Sequence, residues 1–440
     1  MNRRTLLSSL GSMFAVTALS SCVDEILPSS LLEDKILIDS KMRAKLIAER
    51  KKRRVRIRRV IMNNDGGDVA MSTSSAGTII TPEAFLNMRT SSLYNSHVDT
   101  VFYCDGINNV YSHESNLTEQ PQDERSQNTI NCLKEIETDT LSVVINWCKQ
   151  YNKEVFWSMR MNDNHDSTRP QLLSQLKINH PGYCVGVKGT KMPLMYNKWS
   201  ALNYNLAEVR KLVLDTFTDV VTRYDVDGIE FDFWRHPAFF KEQFYKTPIT
   251  QAQCNLMTQL IRDVREVCDR MSIQRGKPIL MAMRVPDSVG FCKAIGLDLV
   301  TWLQEDLVDL LIGADYFKLE PWEYWVNLGK QYNVPVYAAF EERRFSASAG
   351  EDDPEITDET NSDRWRGEAY LAWKAGVNGI YTYNLFDPVN ELFWQLGDVK
   401  VLEKLPRIDI TSYMGPVGSG YHDPDYWVVN GRSYYMNSLK

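Results

Sequence analysis

Short apolar runs alternate with longer amphipathic segments along most of this 440-residue chain. Eight of the apolar runs have the length and residue types of buried strands, and the stretches between them have helical periodicity. The predicted strands are Val55–Met62, Thr100–Cys104, Glu154–Met161, Gly228–Phe233, Ile279–Val285, Leu307–Ala314, Val334–Phe340 and Gly379–Tyr383. The predicted helical segments include Ser126–Tyr151, Leu206–Arg223, Gln251–Met271, Trp322–Tyr332 and Ser362–Ala375.

This alternation predicts βαβ units and therefore a parallel sheet. No glycine-rich phosphate-binding turn follows the first run, and eight strands in this rhythm favour a closed barrel over a doubly wound sheet. We predict an α/β fold, a (β/α)8 (TIM) barrel, over residues 55–404. Residues 23–54 form a predicted linker with a charged helix, and residues 405–440 a short appendage rich in Tyr, Gly and Pro.

Residues 1–22 have the pattern of an export signal. Arg3 and Arg4 precede the apolar stretch Leu6–Leu19, which is too short and too interrupted to span a membrane. The stretch ends in Leu-Ser-Ser-Cys and resembles the lipobox of bacterial lipoprotein signals, in which the cysteine is lipidated. The resemblance implies an exported protein anchored to a bacterial membrane, periplasmic or at the cell surface, by an acyl chain on Cys22. An ordinary signal peptide with an incidental cysteine is the alternative.

Charge and cysteine spacing exclude some classes of partner. A net charge of −7 argues against nucleic acid, which binds basic surfaces. The seven cysteines beyond Cys22 contain no CxxC pair, so no zinc site is predicted, and several lie in apolar runs typical of buried thiols. We predict no metal and no cofactor.

Polar side chains follow every predicted strand at its C-terminal end, where barrel enzymes place their active sites. The substrate-binding candidates are Asp105, Arg160, Asn162, Trp234, Arg235, Arg284, Asp315 and Asn384. One polar strand end is ordinary because a solvated loop begins there, but eight of them above apolar strand bodies indicate a site for a polar ligand. Two interpretations stay open for Arg160 and Arg284, which either bind an anionic substrate or neutralise neighbouring carboxylates.

The fourth strand places two acidic residues on one face, because side chains alternate along a strand. Glu230 and Asp232 point into the predicted barrel, and the apolar residues between them point to the helices. Burying two carboxylates is costly unless they are paired or functional. Asp232, nearer the mouth, is the better catalytic candidate, while Glu230 also fits a buried partner of an arginine. In the seventh strand the alternation leaves Glu341 or Glu342, and we favour Glu341.

Residues 227–234, Asp-Gly-Ile-Glu-Phe-Asp-Phe-Trp, resemble the fourth-strand motif of several barrel glycoside hydrolase groups. The pattern Asp-Gly-hydrophobic-x-hydrophobic-Asp is found in alpha-amylase-like enzymes, where the final Asp is the nucleophile, and in bacterial glycosyl-hydrolase-like lipoproteins. The chain departs from the alpha-amylase pattern at Glu230, where those enzymes have Arg. It also lacks their His-Asp pair after the seventh strand and the Asn-Glu pair that the largest barrel clan carries after the fourth. The resemblance implies sugar chemistry and leaves the nucleophile open.

The resemblance implies hydrolysis of O-glycosyl bonds in a poly- or oligosaccharide by two carboxyl groups that flank the scissile bond. The expected pair is Asp232 and Glu341, because the fourth and seventh strands lie across the barrel mouth from each other. Asp232 is the expected nucleophile or base and Glu341 the acid, or the two roles are exchanged. Glu230 and Asp315 are the reserve candidates.

Two other functions are compatible with the sequence. The first is a surface lipoprotein that binds glycans with the same barrel but does not cleave them, since a fold does not fix a function. The second is a metal-dependent hydrolase of another substrate, with ligands drawn from Asp105, Asp163, His165 and Asp315.

Overall fold

The computed structural model describes residues 40–72, 77–314, 316–341, 358–409 and 420–436. Eight parallel strands in these ranges close a barrel, in which each strand pairs with the next along the chain and the last pairs with the first. The strands, β1 to β8, are Val60–Asn64, Val98–Tyr103, Glu154–Arg160, Gly228–Asp232, Leu280–Val285, Leu310–Gly313, Val336–Glu341 and Gly379–Tyr383. The predicted (β/α)8 barrel is confirmed. Cys22, Asp315 and Glu342 lie outside the described residues.

Helices surround the barrel. The longer ones among the described residues, α1 to α7, are Ser40–Arg54, Glu124–Glu135, Thr140–Gln150, Ala207–Arg223, Gln251–Arg275, Trp322–Tyr332 and Asp358–Ala375. The shorter ones are Asp68–Met71, Pro82–Asn87, Gln175–Asn179, Lys241–Phe244, Val289–Ala294, Leu299–Gln304, Leu392–Gln395, Val399–Leu402 and Pro424–Trp427. A two-stranded hairpin, Gly106–Ile107 with Val110–Tyr111, follows β2. None of the described helices is long and apolar enough to cross a bilayer.

Most predicted boundaries shift by a few residues, and two predicted elements differ from the structure more than the others. The first strand begins at Val60 and not at position 55; Val55 and Ile57 are 65% and 77% exposed and precede the sheet. The single helix predicted over residues 126–151 is two helices, α2 and α3. The chain turns between them at Glu137, which has a φ of 57°, and Asp139 then caps α3 by accepting the backbone N–H of Ser142.

The barrel interior has an apolar middle. Its inward-facing cluster consists of Ile61, Phe102, Phe156, Leu280, Ala282, Leu310, Ile312, Tyr337, Ala339, Tyr381 and Tyr383. On the outer face of β4, Phe231 packs against Phe217 of α4 with ring centroids 4.4 Å apart. Glu230, between the outward-facing residues, instead accepts a hydrogen bond from Tyr381 of the inward cluster. The alternation predicted for the fourth strand is therefore confirmed.

The basic helix α1, which the sequence places in a linker, contacts the N-terminal end of the barrel. Arg50 and Arg54 are both buried and pair with Asp309, just before β6, at 3.2 and 2.9 Å. Arg58 follows the helix, is fully buried, and pairs with Glu154 at the start of β3 at 2.6 Å. Such burial is tolerated because each guanidinium meets a carboxylate. These pairs lie opposite the mouth and hold the helix against the barrel.

Replacing Arg58 with Met is expected to lower the free energy of unfolding by about 3–5 kcal/mol, because it leaves the Glu154 carboxylate buried without its closest cation. The neighbouring Arg59→Met variant is the matched control. Its ion pair with Asp99 is partly exposed, so we expect a loss of about 0–1 kcal/mol. Chemical denaturation of both variants measures the difference, and equal losses would contradict the importance of the buried pair.

Candidate active site

Glu230 lies fully inside the barrel on β4. The hydroxyls of Ser158 and Tyr381 donate hydrogen bonds to its Oε2 atom, and its Oε1 atom has no hydrogen-bond partner. Burial, followed by the charge of Asp232, raises the pKa of Glu230 to about 8, although Arg284 acts in the opposite direction. This carboxyl therefore holds a proton at neutral pH.

Asp232, two residues further along β4, is anchored through one oxygen. Its Oδ1 atom accepts a hydrogen bond from Arg284 at 2.6 Å and from the backbone N–H groups of Trp234 and Arg235 at 3.1 and 3.0 Å. Its Oδ2 atom is buried and accepts no hydrogen bond from the described residues. The three donors therefore fix the orientation of the carboxylate through its other oxygen.

The two strand-end arginines with open interpretations both contact carboxylates. Arg284 is buried against Asp232, and its guanidinium carbon lies 3.9 Å from the ring centroid of Tyr383. Arg160 lies 3.3 Å from Asp163 and 3.6 Å from Asp65. The geometry supports the interpretation in which both arginines neutralise acids of the mouth.

Glu341 at the end of β7 lies on the inner face, as the alternation predicted. Asn384 donates a hydrogen bond to its Oε1 atom at 2.8 Å, and His422 Nε2 lies 3.7 Å from its Oε2 atom. Burial alone would raise the pKa of Glu341, but the neighbouring His422, the hydrogen bond from Asn384 and the charge of Arg235 hold it below its ordinary value. The surroundings thus raise the pKa of Glu230 and lower the pKa of Glu341.

The appendage contributes side chains that sequence reasoning missed. Besides the contact of His422 with Glu341, Tyr421 packs on His236 and on Tyr316, with ring centroids 5.1 and 5.9 Å apart. Residues 420–436 therefore pack over the barrel mouth. The only signal in the sequence was a cluster of aromatic residues and one histidine in the tail, which has no strand pattern to place it.

Asp163, His165 and Arg235 form a hydrogen-bonded network next to Asp232, to which Arg235 donates its backbone N–H. Asp163 Oδ1 lies 2.7 Å from Nδ1 of His165, and Nε2 of His165 lies 3.0 Å from a guanidinium nitrogen of Arg235. His236 Nδ1 accepts the backbone N–H of Asn164, and burial lowers the pKa of His236 well below its ordinary value, so the ring is neutral. The sequence indicates Asp163 and His165 only as possible metal ligands. It does not predict the contacts of His165 with Arg235 and His236, because these residues are distant along the chain.

Possible ligand atoms of Asp163, His165 and His236 lie within 4.8 Å of one another, which makes them a candidate metal cluster. However, Arg160 donates to Asp163 and Arg235 contacts His165, so two permanent cations border the same side chains. This environment repels a metal cation and favours a hydrogen-bonded network.

The remaining candidates are not all at the centre of the mouth. Asp105 accepts hydrogen bonds from Trp157 at 2.8 Å and from the backbone of His113, away from Asp163 and His165. Asn162 is hydrogen-bonded to the backbone of Leu202 and Ala238 and so ties two loops together. Asp105 and Asn162 therefore have structural roles, because each joins separate segments of the chain.

Trp234 faces the aromatic wall of the mouth. Its ring stacks on Tyr316 with centroids 6.1 Å apart and lies edge-on to Phe317 at 4.9 Å. Its Nε1 atom is buried and has no hydrogen-bond partner. The structure thus brings together at the mouth Glu230, Asp232, Trp234, Arg235, Arg284, Glu341 and Asn384.

The chain resembles solved glycoside hydrolase barrels. The glycoside hydrolase domain of PgaB (BpsB) from Bordetella bronchiseptica is 11% identical, with a TM-score of 0.48 over 78% of this chain and 99% of that one. An alpha-L-fucosidase, isoenzyme 2, from Paenibacillus thiaminolyticus is 12% identical, with a TM-score of 0.42 over 79% and 49%. A glycoside hydrolase family 18 N-acetylglucosaminidase from Paenibacillus barengoltzii is 11% identical, with a TM-score of 0.41 over 79% and 100%. No protein-family model and no curated protein matches the sequence.

Proposed function

We propose that the protein is a glycoside hydrolase that cleaves O-glycosyl bonds at the mouth of its barrel. The observation that carries this proposal is the state of Asp232. Three donors fix one of its oxygens, and the other is left without a hydrogen bond. A second buried carboxyl group, Glu341, ends β7, three strands away around the barrel. Two carboxyl groups on different sides of a bond are what glycoside hydrolysis needs.

In the proposed mechanism, Arg284 and two backbone N–H groups orient Asp232, and its Oδ2 atom either attacks the anomeric carbon or removes a proton from water. Glu341 gives a proton to the leaving glycosidic oxygen. Because its surroundings hold the pKa of Glu341 below its ordinary value, Glu341 first takes up this proton from water. Glu230 holds its own proton behind Asp232 and so limits the negative charge on β4.

One observation favours a second candidate function, glycan binding without cleavage. The ion pair with Arg284 would weaken Asp232 as a nucleophile or base, because a neighbouring cation stabilises a carboxylate in the ground state. The aromatic wall formed by Trp234, Tyr316 and Tyr421 suits sugar stacking in either case. The two candidates are separated by asking whether bound glycans are hydrolysed.

Hydrolysis of a broad polysaccharide panel by wild type and by Asp232→Asn tests the enzymatic proposal. The variant keeps the size of the side chain and loses its charge, so cleavage is expected to fall by a factor on the order of 10²–10⁴ while the fold persists. Asp225→Asn, at a half-exposed carboxyl outside the site, is the control and should cleave like wild type. Unchanged cleavage by Asp232→Asn would remove this residue from the mechanism. Binding without cleavage by wild type would establish the second candidate.

We also propose that the chain is exported and held on a bacterial membrane by an acyl chain on Cys22. The support is the order of residues 1–22, in which two arginines, an apolar stretch and a cysteine after small residues follow one another.

Detergent phase partition of the full chain expressed in a bacterium tests the anchor. Wild type should enter the detergent phase, and Cys22→Ala should stay in the aqueous phase because it has no acylation site. Cys132→Ala, at a partly exposed free thiol of the barrel, should partition like wild type. Aqueous partition of wild type, or no change on replacing Cys22, would show that the anchor does not exist.

A further inference from the structure

Arg235 differs from the other arginines of the mouth in having no acidic partner. Arg284 pairs with Asp232, and Arg160 pairs with Asp163. No Asp or Glu oxygen among the described residues lies within the 4.0 Å of an ion pair from the guanidinium of Arg235. A permanent cation inside a low-dielectric site is costly without a counter-charge. A bound anion would supply the counter-charge that the described residues do not.

The guanidinium is nevertheless held in one orientation by neutral groups. One of its terminal nitrogens donates to the Tyr316 hydroxyl, and the other lies 3.0 Å from Nε2 of His165. Asp163 holds the Nδ1 edge of His165 at 2.7 Å, which leaves Nε2 to accept from Arg235. Such a cation is preorganised, so little side-chain entropy is lost when a ligand binds to it.

The position of Arg235 suits contact with a ligand of the proposed site. Its guanidinium carbon lies 5.7 Å from the ring centroid of Tyr383, on which Arg284 also packs at 3.9 Å. Arg235 is partly exposed, in contrast to the fully buried Arg284. Arg235 also borders Asp232 directly, because its backbone N–H donates to Oδ1 of that carboxylate at 3.0 Å.

Further hydrogen-bond donors beside Arg235 lack partners. The Nε atom of Arg235 itself, Nε1 of Trp234 and Nε2 of His236 are buried and make no hydrogen bond to the part of the chain that the structure describes. His236 accepts a backbone N–H through Nδ1, so its neutral ring carries the proton on Nε2. These three atoms belong to consecutive residues after β4, and all of them are donors. Unpartnered donors around a cation are the complement of an anion.

We infer that this cluster of donors, centred on Arg235, binds an anionic substituent of the glycan, a carboxylate or a sulfate, and so selects acidic polysaccharides. The inference rests on the proposed function, because it names the substrate class of the same site. Arg235 would bind the acidic group directly, and Asp163 with His165 would position the guanidinium.

Binding of matched polysaccharide pairs tests this inference in the Asp232→Asn background, where cleavage does not interfere. The probes are polygalacturonate, alginate and hyaluronan with their carboxyl-reduced forms, and chondroitin sulfate and heparin with their desulfated forms. We expect at least one acidic polymer to bind on the order of thirtyfold or more tightly than its neutralised form. The member of the panel that shows this difference identifies the substituent as carboxylate or sulfate.

Variants of Arg235 assign the preference to this residue. Arg235→Gln should lose it, and Arg235→Lys, which keeps a charge but loses the planar fork, should keep part of it. Arg125→Gln, at an exposed arginine of α2, should behave as the parent protein does. If Arg235→Gln does not fold, the comparison of acidic with neutralised polymers on the parent and the Lys variant still decides.

The outcomes separate this inference from the proposed function. Equal binding of acidic and neutralised polymers, or binding to no acidic polymer, overturns the anionic subsite and leaves hydrolysis of neutral glycans possible. An acidic preference that persists in Arg235→Gln also overturns it. An acidic preference that depends on Arg235, with no cleavage of the preferred polymer by wild type, supports the subsite and overturns the hydrolase.

Discussion

A charge inside a barrel needs a counter-charge, since the surrounding strands exclude the water that would otherwise solvate it. This constraint explains the arrangement at both ends of the sheet. At the N-terminal end, each buried arginine reaches a carboxylate, and the pairing of Arg58 with Glu154 and of Arg54 with Asp309 fastens helix α1 to the strands. The apolar middle of the barrel separates this end from the mouth.

At the mouth the same constraint produces different states on neighbouring carboxyls. Glu230 and Asp232 share one face of β4, and two like charges so close are unfavourable in a dry site. Arg284 pairs with Asp232, while Glu230 accepts hydrogen bonds from Ser158 and Tyr381 and has its pKa raised to about 8. Separating the protonation states of neighbouring acids is how active sites obtain distinct chemical roles at one pH. The proposed hydrolysis depends on this separation.

The sequence predicts the barrel well because strand alternation and polar strand ends are local signals. Parity along a strand correctly assigned Glu230 and Asp232 to the interior, and Glu341, favoured over Glu342, shares the inward face of Tyr337 and Ala339. The apolar run that predicted the first strand began too early at Val55, which tertiary packing leaves exposed before β1. No local signal places His422 beside Glu341, since the two are brought together by the path of the tail over the mouth. The sequence likewise does not predict the partners of the buried arginines, because these ion pairs join residues that are distant along the chain.

The protonation of Glu230 is the central claim, and infrared difference spectroscopy of wild type against Glu230→Gln measures it directly. We predict that wild type at neutral pH shows the C=O stretch of a protonated carboxyl that is missing from the variant, and that this band disappears with a midpoint at about pH 8. A wild-type spectrum at neutral pH in which Glu230 contributes only carboxylate bands would contradict the account, because both acids of β4 would then be charged.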